Sequence, residues 1–277
     1  MSDHAPPRRL EQGVKAADSA FRILEAVAFA RSPISLTEIA RQLAMSKAGV
    51  FRYLKTLVER GYIVQGRDTA RYRLGPKAYA ISHLAPVGGD LIDAAEGPMR
   101  DLIEGVGLST VLGAPAPEGV IVMRAVAGFR GLGLQVWPGT ILRPLHSAAH
   151  GKLVLVYGPK EYRARTFAAP LEARTPKTII DHDQLRQELE RVERVGYAIA
   201  AEEYTPGVGT VAAPIFGPDH ELVGTLALVS LIQDIPAEPD PGLIQAVVRA
   251  AREITDFVHN AAGSSTSRNR TENRPPG

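Results

Sequence analysis

Two helix-starting signals stand eleven residues apart in the first quarter of the chain, and together they restrict that segment to very few folds. Ser35-Leu36-Thr37-Glu38 has the form of a capping box. The serine oxygen can accept from an orphan amide of the first turn while the glutamate reaches back. Ser46 is a natural N-cap for a second helix running to about Arg60, and Ala44-Met45-Ser46 leaves only a tight turn after the first, Leu36 to Leu43. Gly61 stands where a left-handed residue would close that second helix. Upstream, Val14 to Ala30 places Ala17, Phe21, Leu24, Val27 and Ala28 near one helical face, and Arg31-Ser32-Pro33 ends it. Downstream the period changes: Tyr62 to Val64 and Arg71 to Leu74 are β-type runs around Gly66 and Asp68, which reads as a hairpin. Helix, helix, turn, helix and hairpin within about 60 residues is the layout of a winged helix-turn-helix. It is expected over residues 12–75, behind a disordered arm at 1–11.

Such a fold reads DNA with its third helix, which needs one apolar face for its own domain and one polar, basic face for the major groove. Val50, Tyr53, Leu54, Leu57 and Val58 recur at helical spacing and should pack inward. Ser46, Lys47, Ala48, Gly49, Phe51, Arg52 and Lys55 are left on the N-terminal end and outer face. The small residues at 48 and 49 let the backbone approach the groove, and Lys47 and Arg52 can reach phosphates or guanine edges. Arg67, Arg71 and Arg73 fall in or beside the wing, where phosphate or minor-groove contacts are expected.

The charge distribution agrees. Residues 1–80 hold 14 Lys and Arg against 7 Asp and Glu, and the remainder holds 18 against 23. A basic segment joined to an acidic remainder suits a nucleic-acid reader attached to something else. The chain has 277 residues, room for two modest domains, and no cysteine. Disulfides, thiolate zinc sites and cysteine nucleophiles are thereby excluded. No signal-like apolar stretch follows Arg8-Arg9, and the longest apolar runs fall short of the ~18 residues of a membrane span. A cytoplasmic protein with no membrane association is expected.

Beyond the hairpin, Gly75-Pro76 breaks the pattern, Lys77 to Ala85 suits a linking helix (76–89 as a segment), and Pro86-Val87-Gly88-Gly89 marks a boundary. Leu91 to Glu104 is helical in pattern. Short strands follow at Ser109 to Ala114, Val120 to Ala127 and Gly131 to Val136. Leu153 to Tyr157 and Asp183 to Arg194 suit helices, and Tyr197 to Ala200 a strand. Two strong strand runs, Val208 to Phe216 and Leu222 to Leu231, flank Gly217-Pro218-Asp219-His220, a hairpin turn. A helix from Gly242 to Asn260 closes a single α+β domain over 90–262, before a disordered tail at 263–277.

At this point the sequence resembles the IclR (isocitrate lyase regulator) family. The likeness lies in SLTEIARQLAMSKAGVFRYLKTLVERGYI and ARYRLGPK, then in RPLHSAAHGKLVL (Arg143 to Leu155) and GYAIAAEEYTPGVGTVAAPIF (Gly196 to Phe216). The resemblance implies a winged-helix DNA-binding domain joined by a helix to a GAF-like, PAS-related α/β effector-binding domain. It implies homodimers or dimers of dimers on a palindromic operator, with small organic molecules controlling DNA binding, and weakly favours a repressor of a catabolic operon. Ala48 and Gly49 stand where members often have Ser or Thr, and Phe51 replaces a commonly polar residue and could contact thymine methyl groups. The operator sequence therefore does not carry over.

The resemblance also implies an effector between the sheet and the segment after Leu145-His146, involving Ala148 and Ala149. Strand alternation puts Val208, Thr210 and Ala212 on one face, and likewise Thr225, Ala227 and Val229. Some related members carry Cys and Ser at positions matching Thr210, Ala227 and Val229. Two of the three are aliphatic here, which points to an apolar or aromatic, acid-like effector anchored by Thr210, with Trp137 and Met123 as walls. His146 and His150, four apart, could share a helical face; no cysteine or near acidic residue completes a metal site, so no metal or cofactor is expected. His146 suits a hydrogen bond within the fold, and His150, where members usually have a small residue, suits contact with the ligand. Two other classes stay open. An enzyme would need a nucleophile–base pair, yet no P-loop, GxGxxG, GxSxG or HExxH motif occurs, and Glu202 and Glu203 read as surface charges. A ligand-free DNA-binding or scaffold protein would show a filled C-terminal core.

Overall fold

The computed structural model describes residues 14–30, 32–66, 69–84, 86–130 and 136–271, with only the backbone described for 82–84, 86–90 and 261–271. The expected arm at 1–11, Arg67, most of the strand expected at Gly131 to Val136, and residues 272–277 lie outside the described residues. The chain divides into two compact units at Gly89 and Asp90.

In the first unit, α1 (Lys15–Ala28), α2 (Leu36–Gln42) and α3 (Lys47–Glu59) pack around Ile23, Val27, Ile39, Val50, Leu54 and Leu57. The capping box forms in full: the Ser35 amide donates to Glu38 Oε2 at 2.8 Å, and the Glu38 amide donates to Ser35 Oγ at 3.3 Å. Hydrogen bonds from Ser35 hold the Glu38 carboxyl below the ordinary carboxylate range. Gly61 adopts φ 79°, the left-handed geometry that its position after α3 requires. The wing pairs β2 (Ile63–Gln65) with β3 (Arg71–Leu74), and Tyr72 and Ile63 close the core. A third strand is an addition to the expected hairpin: β1 (Ile34–Ser35) pairs with Tyr72 and Arg71, so Ser35 both caps α2 and joins the sheet. α4 (Pro76–Leu84) follows.

The boundary expected at Pro86 to Gly89 coincides with the division between the units, and it is crossed by a helix, because α5 runs Pro86–Val106. Proline at a first helical position loses no hydrogen bond, and glycine costs helix stability without forbidding it.

The second unit is a six-stranded sheet in the order β6-β5-β4-β9-β8-β7, with every pairing antiparallel. Its strands are β4 (Ser109–Ala116), β5 (Gly119–Val126), β6 (Ile141–Leu142), β7 (Ala198–Ala201), β8 (Val208–Phe216) and β9 (Leu222–Leu231). On one face, α5 and α9 (Pro241–Thr271) pack Leu91, Met99, Val247 and Ile254 against Leu112, Val211, Leu226 and Leu228. On the other lie α6 (Ala149–Tyr157), entered from a 3₁₀ turn at Leu145–Ser147, and α8 (His182–Val195). A short helix, α7 (Lys160–Phe167), joins them with no buried residue, which is why no apolar period announced it. α9 passes the expected end at Asn260 and stays helical to Thr271: Gly263 is one unfavourable residue, and no proline occurs before Pro275. The outer strand β7 is an open margin of the sheet, where the Ile199 carbonyl accepts Lys152 Nζ at 2.8 Å. No described helix is long and apolar enough to cross a membrane.

Candidate nucleic-acid interface and ligand-binding face

The outer side of α3 carries the residues singled out from the sequence. Ser46 caps the helix by accepting the Gly49 amide at 3.1 Å, so its hydroxyl oxygen serves the fold first. Lys47, Ala48, Arg52 and Lys55 are exposed, Gly49 is half-buried, and Phe51 is 53% exposed. Lys55 stands 3.9 Å from Glu59 with both side chains in solvent, a pair too screened to hold the lysine in place. The three wing arginines differ. Arg73 is exposed on β3, Arg67 is outside the described residues, and Arg71, also exposed, is tied to the start of α2. Its Nη1 donates to the Pro33 carbonyl at 2.8 Å and to Glu38 Oε2 at 3.3 Å, tying the wing to the start of α2.

The second candidate surface is the face of β7, β8 and β9 beneath α6. Register builds it in rungs: Ala198, Ala212 and Ala227 stand side by side, as do Ala200, Thr210 and Val229. Ala149 and Leu153 of α6 and Val192 of α8 pack on the alanine rung. Ala149, Ala212, Ala227 and Val229 are therefore brought together, with Thr210 half-buried beside them and Val208 at the end of the same face. Alternation within β7 could have added Ala198 and Ala200, but β7 was identified only as a strand.

The two histidines do not share a helical face. His146 lies in the 3₁₀ turn and His150 in the first turn of α6. His146 Nε2 donates to the Glu172 carbonyl at 3.0 Å, and burial lowers its pKa. His150 is buried with Nδ1 2.7 Å from Thr225 Oγ1, while its buried Nε2 has no hydrogen-bond partner among the described residues. Burial alone pushes its pKa down to about 4, so the ring is neutral near pH 7. Ala148 is buried between the turn and α6. Two proposed walls are elsewhere. Met123 packs with the α5–α9 layer on the opposite face of the sheet, and Trp137 is 40% exposed in the β5–β6 connection.

Glu203 is the residue sequence reasoning misplaced. Its side chain is only 12% exposed and accepts from Lys152 Nζ at 2.7 Å. The signal was Lys152 itself, a lone charge in the apolar helix Ala149–Tyr157, since a buried ammonium requires a carboxylate partner.

A helix-turn-helix with an exposed basic third helix, followed by an α/β sheet domain, is the architecture of a DNA-binding transcriptional regulator. Residues 16–67 match the IclR helix-turn-helix domain, and residues 85–256 match the bacterial transcriptional regulator IclR C-terminal domain. The chain belongs to the IclR family. It is 29% identical over 244 residues to the HTH-type transcriptional regulator BhcR of Paracoccus denitrificans, covering 88% of this chain and 87% of that one. It is 27% identical to XynR of Escherichia coli, over 79% of this chain and 86% of XynR. Among solved structures, an IclR transcriptional regulator of Silicibacter sp. TM1040 superposes with a TM-score of 0.74 at 28% identity, covering 88% of this chain and 96% of the other. An IclR homologue of Microbacterium hydrocarbonoxydans, solved with 4-hydroxybenzoate, shares the fold with a TM-score of 0.77 at 20% identity, covering 88% and 99%.

Proposed function

We propose that this chain is an effector-responsive regulator that, as a cytoplasmic homodimer, represses a catabolic operon by holding two half-sites of a palindromic operator. The third helices would enter successive major grooves, led by Lys47, Arg52 and Lys55, with Phe51 against thymine methyl groups and Arg73 on the backbone. The effector would be a small aromatic or apolar acid seated between α6 and the β7–β9 face. The observation that carries this reading is the His150 ring, buried under α6 with Nδ1 on Thr225 of β9 and Nε2 unpartnered among the described residues. A buried polar atom of this kind is stabilised by a ligand that supplies its hydrogen bond. Thr210 is the second polar anchor, and Ala149, Ala212, Ala227 and Val229 would form the apolar wall, with α6 having to move for a ligand to enter because this face is closely packed. Effector binding would favour one arrangement of the dimer over the other and so change operator affinity.

The test is fluorescence polarisation of a labelled duplex from upstream of the protein's own gene, against a scrambled duplex at one fixed salt. A preference of roughly 10³-fold or more is expected, and 4-hydroxybenzoate or a related aromatic acid should shift it. Equal binding to both duplexes, with no response to any aromatic acid, would overturn the reading.

A further inference from the structure

Past the free edge of β7 lies a cleft of about 500 Å³ that the regulator reading does not use. Its floor is an ion network. Lys152, with its side chain 1% exposed, donates from Nζ to Glu203 Oε1 at 2.7 Å, to the Ile199 carbonyl at 2.8 Å and to Glu188 Oε1 at 3.2 Å. Three acceptors use all three ammonium protons. Arg191 holds Glu188 through Nε at 2.7 Å and Nη2 at 3.0 Å. Both cations that line the cleft are thus committed to the protein.

Among the carboxylates, Glu188 is committed in return to both cations, whereas Glu203 is committed through Oε1 alone. Glu188, Glu203 and Glu238 line the cleft against Lys152 and Arg191, leaving one negative charge in excess. Glu203 Oε2 is buried and holds no hydrogen bond among the described residues. An arriving anion would meet repulsion and no uncommitted cation; an arriving cationic donor would meet the excess negative charge and, once the Glu203 side chain turns, the oxygen now buried without a partner among the described residues. The walls around this charge are apolar, supplied by Ile199, Ile244, Pro239 and the body of Tyr197. Apolar walls with few polar anchors, at this volume, suit a small organic ligand.

We propose that the cleft binds a small organic ammonium compound, a primary amine on an apolar body, as a second ligand distinct from the one on the β7–β9 face. α6 joins the two sites. Ala149 and His150 lie over the sheet, and Lys152, two residues further on, forms the cleft floor. An amine competing for Glu203 therefore acts on the helix that covers the first site.

The experiment is titration calorimetry of the full chain with 2-phenylethylamine, 2-phenylethanol and 3-phenylpropionate, which share a body and differ in charge. The amine should bind saturably at millimolar concentration or below, the alcohol about tenfold more weakly, and the carboxylate not at all. Glu203→Gln keeps an oxygen for Lys152 and replaces the unused acceptor by a donor; about a tenfold loss of amine affinity is expected, with folding checked by circular dichroism. Ala237→Trp fills the rim without touching the ion network and should abolish binding. No amine binding by the wild type, equal binding of amine and alcohol, or unchanged amine affinity in either variant would each overturn the proposal. Neither DNA nor an aromatic acid enters the test, so its outcome is independent of the regulator reading.

Discussion

His150 makes one hydrogen bond in a place where two are available, and its protonation follows from where it is buried. Its folded pKa of about 4 lies below the ordinary 6.5 because burial penalises the imidazolium. Between those values the unfolded chain takes up a proton that the native ring refuses. Stability therefore falls as pH drops from 6.5 towards 4, by up to about 3 kcal/mol from this residue. His146, also held down by burial, adds to the same slope. Urea denaturation across this range should show the loss, and His150→Gln, which can still reach Thr225, should flatten it; an equal slope in the variant would assign it elsewhere. Thr210→Leu tests the opposite property, since it adds bulk beside Val229 and Ala200 without altering charge. An effector titration of operator binding should lose its response while the effector-free affinity stays within about twofold. A normal dose response would take Thr210 out of the site.

At the scale of elements, the first turn of α6 is set by close backbone approach. A Cβ at Gly151 would collide with the carbonyl oxygen and Cα of Leu145, so only glycine lets α6 fold directly back onto the 3₁₀ turn. Gly151→Ala should cost about 1–3 kcal/mol in chemical denaturation, because the turn or the helix must move. A neutral result would show that the turn yields freely. Elements of this kind explain what the sequence made legible. The capping box, the Ser46 cap, the closing Gly61 and the β8–β9 hairpin are local signals, readable within a few residues. β1 and β6 have two residues each and exist through partners far along the chain, Tyr72 and Val120 among them. Alternation showed that Thr210 and Ala212 share a face, and the alanine ladder follows from that. It could not say which layer covers a given face, so Met123 was assigned to the wrong side. The hydrogen bonds of Arg71 were not legible, because its partners, Pro33 and Glu38, stand more than thirty residues upstream.

At the scale of the whole molecule, the division of charge sets how DNA binding responds to salt. The 14 basic residues against 7 acidic ones in the first 80 give that unit its attraction for phosphate, while the acidic remainder gives none. Affinity should fall linearly with the logarithm of salt concentration, with a slope of about −0.9 for each phosphate neutralised. Arg52→Ala should weaken operator binding by about 1–3 kcal/mol if it reads a guanine, or reduce the salt slope by about one if it meets a phosphate. Unchanged affinity and slope would remove Arg52 from the interface. The acidic unit has its own arrangement at the open margin of its sheet. An outer strand can offer unpaired carbonyls to an extended chain in a crowded solution, and one sheet can then recruit another. The ammonium on the Ile199 carbonyl occupies the acceptor that such a newcomer needs. Lys152 thus blunts the outer margin of the sheet at one position, where a strand added along β7 would have to displace a buried ammonium.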